Sequence, residues 1–280
     1  MPLTSKSNMN CISLKGFTGS VETDDGRVDV MLAFNPSHLE CVNPVVQGMS
    51  RAKAELARAA DTDHGDDVLP VEIHGDAAMS GQGAVMETLS LSYTRGHGTG
   101  GTVHMGINNQ IGFTTSDPRD TRSSFFTTDV AKMIEASVLA VNGDDPEAVA
   151  LAVRLAVDYR TTFRRSVVID LVCFRKYGHQ EQDTPAITQP LMYRAIANHP
   201  GVRILYARKL IQQRVITHDE AERYVSERRE LLERAIVATG KVSDRTPLHR
   251  PHRDITRRTW RGRPHSLRKR SPGNRACVSR

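Results

Sequence analysis

The chain runs to 280 residues, 39% of them hydrophobic, which is enough to bury a core in one large α/β domain or two ordinary ones. Its net charge of +6 is unevenly placed: residues 240–280 hold 13 Lys+Arg against 2 Asp+Glu, leaving 25 against 30 over residues 1–239. Cys11, Cys41, Cys173 and Cys277 form no CxxC pair, no run approaches the ~20 apolar residues of a membrane span, and the N-terminus lacks a signal peptide's apolar core, so neither a disulfide framework nor a cysteine zinc site is indicated and a reducing cytoplasm is the expected setting.

In chain order, residues 1–27 read as a partial N-terminal segment. Residues 28–190 read as one α/β domain. Its strand-like runs are Val28–Phe34, Val71–His74, Thr102–Asn109, Val138–Asn142 and Ser166–Phe174, nearly continuous in apolar character as buried parallel strands are. Helical spacing lies between them. Val45, Met49, Ala52 and Leu56 mark Pro44–Ala60, and Met86, Leu89 and Tyr93 mark Ala84–Thr94. Pro146 to about Phe163 opens on an acidic cap with proline in its first turn and carries the stripe Val149, Val153, Ala156, Val157. Strand and helix in alternation predict a parallel sheet covered by helices on both faces. Residues 191–239 read as a helical extension, a hairpin of "VRILYARKLIQQRVI" and "HDEAERYVSERRELLERAIVA". Residues 240–280, rich in Arg, Pro and His without helical period, read as a disordered basic tail of non-native sequence; a nucleic-acid or acidic-partner arm is the competing reading.

Ligands of open parallel sheets gather beyond the carboxyl ends of the strands. Two strands here end in polar groups suited to a hard cation. One runs into Gly75-Asp76, the other into Asn108-Asn109, 33 positions later. Asp76 offers a carboxylate oxygen, Asn109 an amide oxygen and the loop beyond it a backbone carbonyl, a set magnesium favours when it also holds a diphosphate. Gly75, Gly81 and Gly83 allow close backbone approach, and the following helix would direct its N-terminal N–H groups at the same space. The competing reading is an ordinary strand–helix turn with Asp76 as N-cap. On residue chemistry alone both stay open.

The motifs "AFNPSHLE", "HGDAAMSGQGAVMETL", "GGTVHMGINNQIGFTTSDPRD", "DDPEAVA", "IDLVCFRKYGHQEQDTP" and "TQPLMY" resemble, in order, the thiamine-diphosphate-dependent first component of 2-oxoglutarate dehydrogenase. The likeness runs from about Lys15 to about Ala238. It implies the thiamine diphosphate-binding fold, with thiamine diphosphate and magnesium as cofactors. Magnesium would be held by Asp76, Asn109 and the backbone oxygen of Ile111, and the diphosphate lined by Ala77 and Ala78. Ser37 would touch cofactor and 2-oxoacid, and Leu39 would brace the thiamine rings. The reaction implied is oxidative decarboxylation of 2-oxoglutarate, with succinyl transfer to the lipoyl arm of a dihydrolipoyl succinyltransferase in the tricarboxylic acid cycle, by a homodimer. A 2-oxoadipate dehydrogenase or a 2-oxoglutarate decarboxylase is the nearest alternative, and a non-catalytic fragment with a basic tail is another.

Of the histidines, His38 lies in the matching motif, His74 is a candidate for orienting the Asp76 loop, and His179 belongs to a loop that in related enzymes nears the diphosphate. His97 and His104 read as a loop residue and a satisfied strand residue, and Glu87 as structural. Two departures stand out. Leu14 occupies the place of a family histidine that helps hold the 2-oxoacid carboxylate. The likeness also stops before the domain that holds the aminopyrimidine ring and supplies the activating glutamate. The isolated chain is therefore expected to be an inactive fragment comprising the diphosphate/magnesium-binding part, binding no nucleic acid.

Overall fold

A computed structural model of the chain describes residues 16–24, 26–57, 68–112, 114–115, 117–180 and 182–239; Leu14 and the tail 240–280 lie outside them. The described residues up to Arg229 form one compact unit, and those from Glu230 fall in a second.

The centre of the first unit is a four-stranded sheet of β3 (Val71–Gly75), β4 (Val103–Asn108), β5 (Ser137–Asn142) and β6 (Val167–Val172), every neighbouring pair parallel. The spatial order is β3-β4-β6-β5, so β6 inserts between strands that precede it in the chain. β6 is central because it can be: "VVIDLV" is β-branched at four of six positions, and its first four residues are buried.

One face of the sheet packs against α4 (Pro146–Phe163), through Val103, Val141, Val167 and Ile169 against Ala152 and Ala156. The helix starts where the sequence places it. The Asp145 carboxylate accepts from the backbone N–H of Glu147 and Ala148, both at 3.2 Å, and Pro146 occupies the first turn. It ends at Arg164, in the left-handed region at φ 56°. The other face packs Val168 against Met79, Val85, Leu89 and Ala131, contributed by α2 (Asp76–Gly81), α3 (Gly83–Leu91) and a 3-10 stretch Thr127–Ile134. Burying each such large apolar side chain contributes roughly 1.5–3 kcal/mol.

Arg160, on α4, is 2% exposed. It donates to three backbone carbonyls, those of Val68 (2.9 Å), Thr99 (3.1 Å) and Gly101 (3.0 Å), in the segments entering β3 and β4. Gly101 sits at φ +89°, and a Cβ there would lie 2.6 Å from the Arg165 backbone, so only glycine fits. These contacts pin the amino-terminal edge of the sheet, opposite the edge where ligands gather.

Two expectations need revision. Val28–Phe34 does not join the parallel sheet: β2 (Gly26–Leu32) pairs antiparallel with β1 (Phe17–Thr23) in a separate two-stranded ribbon whose apolar residues, among them Val28, Val30 and Leu32, are exposed. A run of β-branched residues signals a strand, not its partner. The junction between β3 and the expected Ala84–Thr94 helix, read as a turn, also holds a short helix of its own. α2 has six residues, and Gln82, at φ −106° and ψ 117°, interrupts the chain before α3 begins. Beyond the sheet lie α1 (Asn43–Ala57), which precedes β3, and α5 (Pro190–Asn198), α6 (Val202–Gln212) and α7 (His218–Thr239), which follow β6. Among the described residues no helix is long and apolar enough to cross a membrane.

Candidate functional site

The register of the sheet brings two of the sequence-predicted segments together. Gly75 pairs with Ile107, so Asp76 leaves β3 beside the end of β4, where Asn108 and Asn109 begin their loop. Asp76 is 4% exposed and opens α2 from its first helical position; the N-cap is Gly75, and no side chain caps the helix. The capping role open to Asp76 in the sequence is therefore not the one it has.

Burial holds the Asp76 carboxyl above the ordinary carboxylate range; the nearby Asp170 pushes the same way, and the Arg122 guanidinium and the Ala77 N–H oppose it. Asp170, on β6, is 4% exposed, and its Oδ1 has no hydrogen-bond partner among the described residues. Nearby Cys173 is half-buried, and burial, then the charges of Asp76, Asp144 and Asp170, raises its thiol pKa. The carboxyl edge of the sheet is thus electronegative and only partly compensated.

The β4 loop is built from two side chain–backbone turns. Asn108 Oδ1 accepts from the Gln110 N–H and Asn109 Oδ1 from the Ile111 N–H, both at 3.2 Å. Gln110, at φ +66°, reverses the chain, and its side-chain amide donates to the Cys173 carbonyl at 2.7 Å. Ile111 is buried. A Cβ on Gly112 would stand 3.0 Å from the Ala77 Cβ, so the loop is seated against the start of α2. The Thr127 hydroxyl donates to the Asp76 carbonyl from the other side. A pocket of ≈ 290 Å³ opens beside the loop, lined by Ile111, Gly112, Thr121, Gln189 and Met192 among others.

Asp76, Ala77, Ala78, Asn109 and Ile111 therefore lie together at the ends of β3 and β4. Ser37 and His38 are exposed, and Leu39 is 43% exposed; among the described residues no hydrogen bond or ion pair joins them to that group. The residue after them does connect. Glu40 is buried, and its Oε2 lies 2.7 Å from Nδ1 of His74 on β3, which ties the "NPSHLE" segment to the strand that delivers Asp76. His179 and Glu87 are exposed. His97 meets the Thr94 hydroxyl at 3.0 Å. His104, expected to be satisfied, is so at one ring nitrogen only: its Nδ1 lies 3.1 Å from His74 Nε2, whereas its Nε2 is buried without a hydrogen-bond partner among the described residues. Sequence reading missed Glu40 and Glu72 altogether. Only the pairing of Glu72 opposite His104 across β3 and β4 would have flagged them.

Residues 8–248 match the family model described as dehydrogenase E1 component. The chain belongs to that family. Among its relatives, the 2-oxoglutarate dehydrogenase E1 component of Cupriavidus necator is 63% identical over 202 residues, 72% of this chain and 21% of that protein. Its counterpart from Azotobacter vinelandii is 53% identical over 219 residues, 78% of this chain and 23% of that protein. The multifunctional 2-oxoglutarate metabolism enzyme of Mycolicibacterium vanbaalenii is 48% identical over 229 residues, 78% of this chain and 18% of that protein. The chain spans about a fifth of the length of these relatives.

Proposed function

We propose that this segment is the diphosphate- and magnesium-binding part of a thiamine-diphosphate-dependent 2-oxoglutarate dehydrogenase. The observation that carries the reading is the pairing of β3 with β4, which sets a buried, undercompensated carboxylate beside an oxygen-rich loop.

The residues fit a divalent cation. Asp76 carries a charge whose burial is unfavourable until a cation accompanies it, and among the described residues it has no ion pair of its own. Asn109 Oδ1 keeps one lone pair after accepting from Ile111. Asp76, Asn109 and the Ile111 carbonyl would supply three oxygens, leaving octahedral positions for phosphate and water. Ala77 and Ala78 would line the diphosphate, their small side chains leaving the backbone accessible. Because α2 is short, these residues rather than a long helix terminus would provide the anion contacts.

Bound thiamine diphosphate would supply the electron sink for decarboxylation of a 2-oxoacid. The chain's part is positional. Asp76 and Asn109 would fix the metal, the Asp145-capped α4 and the core beneath it keep the strand ends rigid, and Glu40 joined to His74 holds the Ser37–Leu39 segment in register with β3. Ser37 would meet the 2-oxoacid, and Leu39 the thiamine rings. 2-Oxoglutarate as substrate, a dihydrolipoyl succinyltransferase as acyl acceptor and a second copy of the chain as partner belong to the same reading. So does the absence of turnover by these 280 residues alone.

The test is calorimetric titration with thiamine diphosphate, with and without magnesium. Wild type should bind only with the metal, and Asp76→Ala and Asn109→Ala should lose that binding while keeping the wild-type circular dichroism. Equal binding by wild type and Asp76→Ala would remove the assignment.

A further inference from the structure

On the α2/α3 side of the sheet, three buried side chains on β3 and β4 converge: Glu72, His74 and His104, which are 4%, 1% and 2% exposed. Glu72 faces His104 across the strand pair, and His74 faces Gly106. The two rings stack at 5.3 Å between centroids. His74 Nε2 is 3.1 Å from His104 Nδ1, His104 Nδ1 is 3.3 Å from Glu72 Oε2, and His74 Nε2 is 3.8 Å from Glu72 Oε2. We propose that these three atoms form a binding site for a divalent transition-metal ion of the zinc class, separate from the Asp76–Asn109 site.

Geometry is the first support. A point equidistant from three atoms at those separations lies about 2.0 Å from each, which is the bond length of zinc to imidazole nitrogen and carboxylate oxygen. The second is the surrounding shell. Histidine ligands of zinc characteristically donate their other ring N–H to a carboxylate, and His74 Nδ1 is 2.7 Å from Glu40 Oε2. Glu40 is in turn held by the Asn43 side-chain amide at 2.8 Å. The second oxygen of Glu72 accepts from the Gln47 amide at 2.7 Å, which leaves Oε2 for the ion. That Oε2 is buried without a hydrogen-bond partner among the described residues.

Charge supplies the third. Among the described residues, the only groups in ion-pair range of Glu40 and Glu72 are these histidines. A divalent ion bound between them would be the cation that these two buried carboxyls otherwise lack. Cysteine spacing gives no hint of this, because no cysteine takes part. The ion would join the segment after Leu39 to β3 and β4 as a structural pin, and since its ligands are sealed from solvent it would enter during folding.

The test is metal content in full-length protein expressed with added Zn2+ and purified without a histidine tag or strong chelator. Wild type and Asp76→Ala should each carry about one zinc per chain, with an X-ray absorption spectrum of nitrogen and oxygen ligands and no sulfur. Glu72→Gln and His104→Gln should lose it. Glu40→Gln, which touches only the outer shell, should weaken retention about 10–100-fold against a competing chelator. Should the ligand variants fail to fold, the wild-type content and absorption spectrum decide alone. Zinc far below stoichiometry in wild type, sulfur in its ligand shell, or equal zinc in wild type and folded Glu72→Gln would overturn the proposal. Loss of zinc in Asp76→Ala would also overturn it, since the two sites would then be one.

Discussion

Replacing Arg160 with methionine should separate what stabilises the sheet from what it presents. The guanidinium is almost fully buried and donates to the carbonyls of Val68, Thr99 and Gly101. A methionine fills similar space but leaves those three acceptors without this donor. Each buried unsatisfied carbonyl costs about 1–3 kcal/mol. The cation's own desolvation penalty disappears with it and offsets part of the loss. A net destabilisation of about 3–5 kcal/mol follows, a large fraction of the 5–15 kcal/mol typical of a domain. For a unit of this size that converts to a fall in Tm of roughly 6–20 °C. Urea denaturation and differential scanning calorimetry would measure it, with Arg160→Lys as the intermediate case that keeps the charge but not the forked donors. Magnesium-dependent cofactor binding by the molecules that remain folded should stay at wild-type strength, because Arg160 grips the edge of the sheet opposite Asp76. A loss below about 1 kcal/mol, or cofactor binding lost from folded protein, would refute the reasoning.

Asp76→Asn should behave in the opposite way. The carboxyl's folded-state pKa is raised by burial, so its protonated form favours folding; that contribution is full below the unfolded value near 3.9 and is lost as pH rises through the higher folded value. Asp76→Asn should accordingly have a higher metal-free Tm than wild type at pH 7, with the gap closing as pH falls toward 4, while binding no magnesium–cofactor complex. Gly112→Val should cost about 1–3 kcal/mol in stability from overpacking and weaken cofactor binding, because its Cβ would press the Ala77 Cβ at 3.0 Å; unchanged calorimetric titration would count against close packing of loop and helix. Cys173 should react with iodoacetamide at pH 8 more slowly in the folded than in the unfolded protein, and faster in Asp76→Asn than in wild type, since Asp76 is one cause of its raised pKa; mass spectrometry of the labelled peptide would read both rates.

The parallel strands and α4 were legible in the sequence because each carries a local signal: β-branched runs for β3 to β6, and an Asp145-Pro146 start with a four-residue apolar stripe for α4. Local signals could not tell that Val28–Leu32 pairs with Phe17–Thr23 rather than joining the sheet, since pairing depends on residues far along the chain. The same division runs through the candidate site. Asp76 and Asn109 could be read from strand ends and motif spacing. The Glu40–His74–His104–Glu72 cluster could not, because it needs the register of β3 against β4 and the docking of a segment more than 30 positions upstream. Nor did any local feature mark Arg160, whose acceptors include carbonyls 59 to 92 positions away.

The insertion of β6 between β4 and β5 also has a consequence for how the chain is made. As the polypeptide leaves the ribosome, β4 and β5 emerge first, yet they never pair with each other in the finished sheet. Val103 must wait for Val167, 64 positions later in the chain, and at about 5–20 residues per second that interval lasts about 3–13 s. During it the hydrogen-bonding edges of two apolar strands stand open, an invitation to wrong partners. The nascent chain should therefore depend on holding chaperones until β6 appears, and translation stalled between Asn142 and Val167 should yield aggregates, whereas a stall beyond Val172 should not.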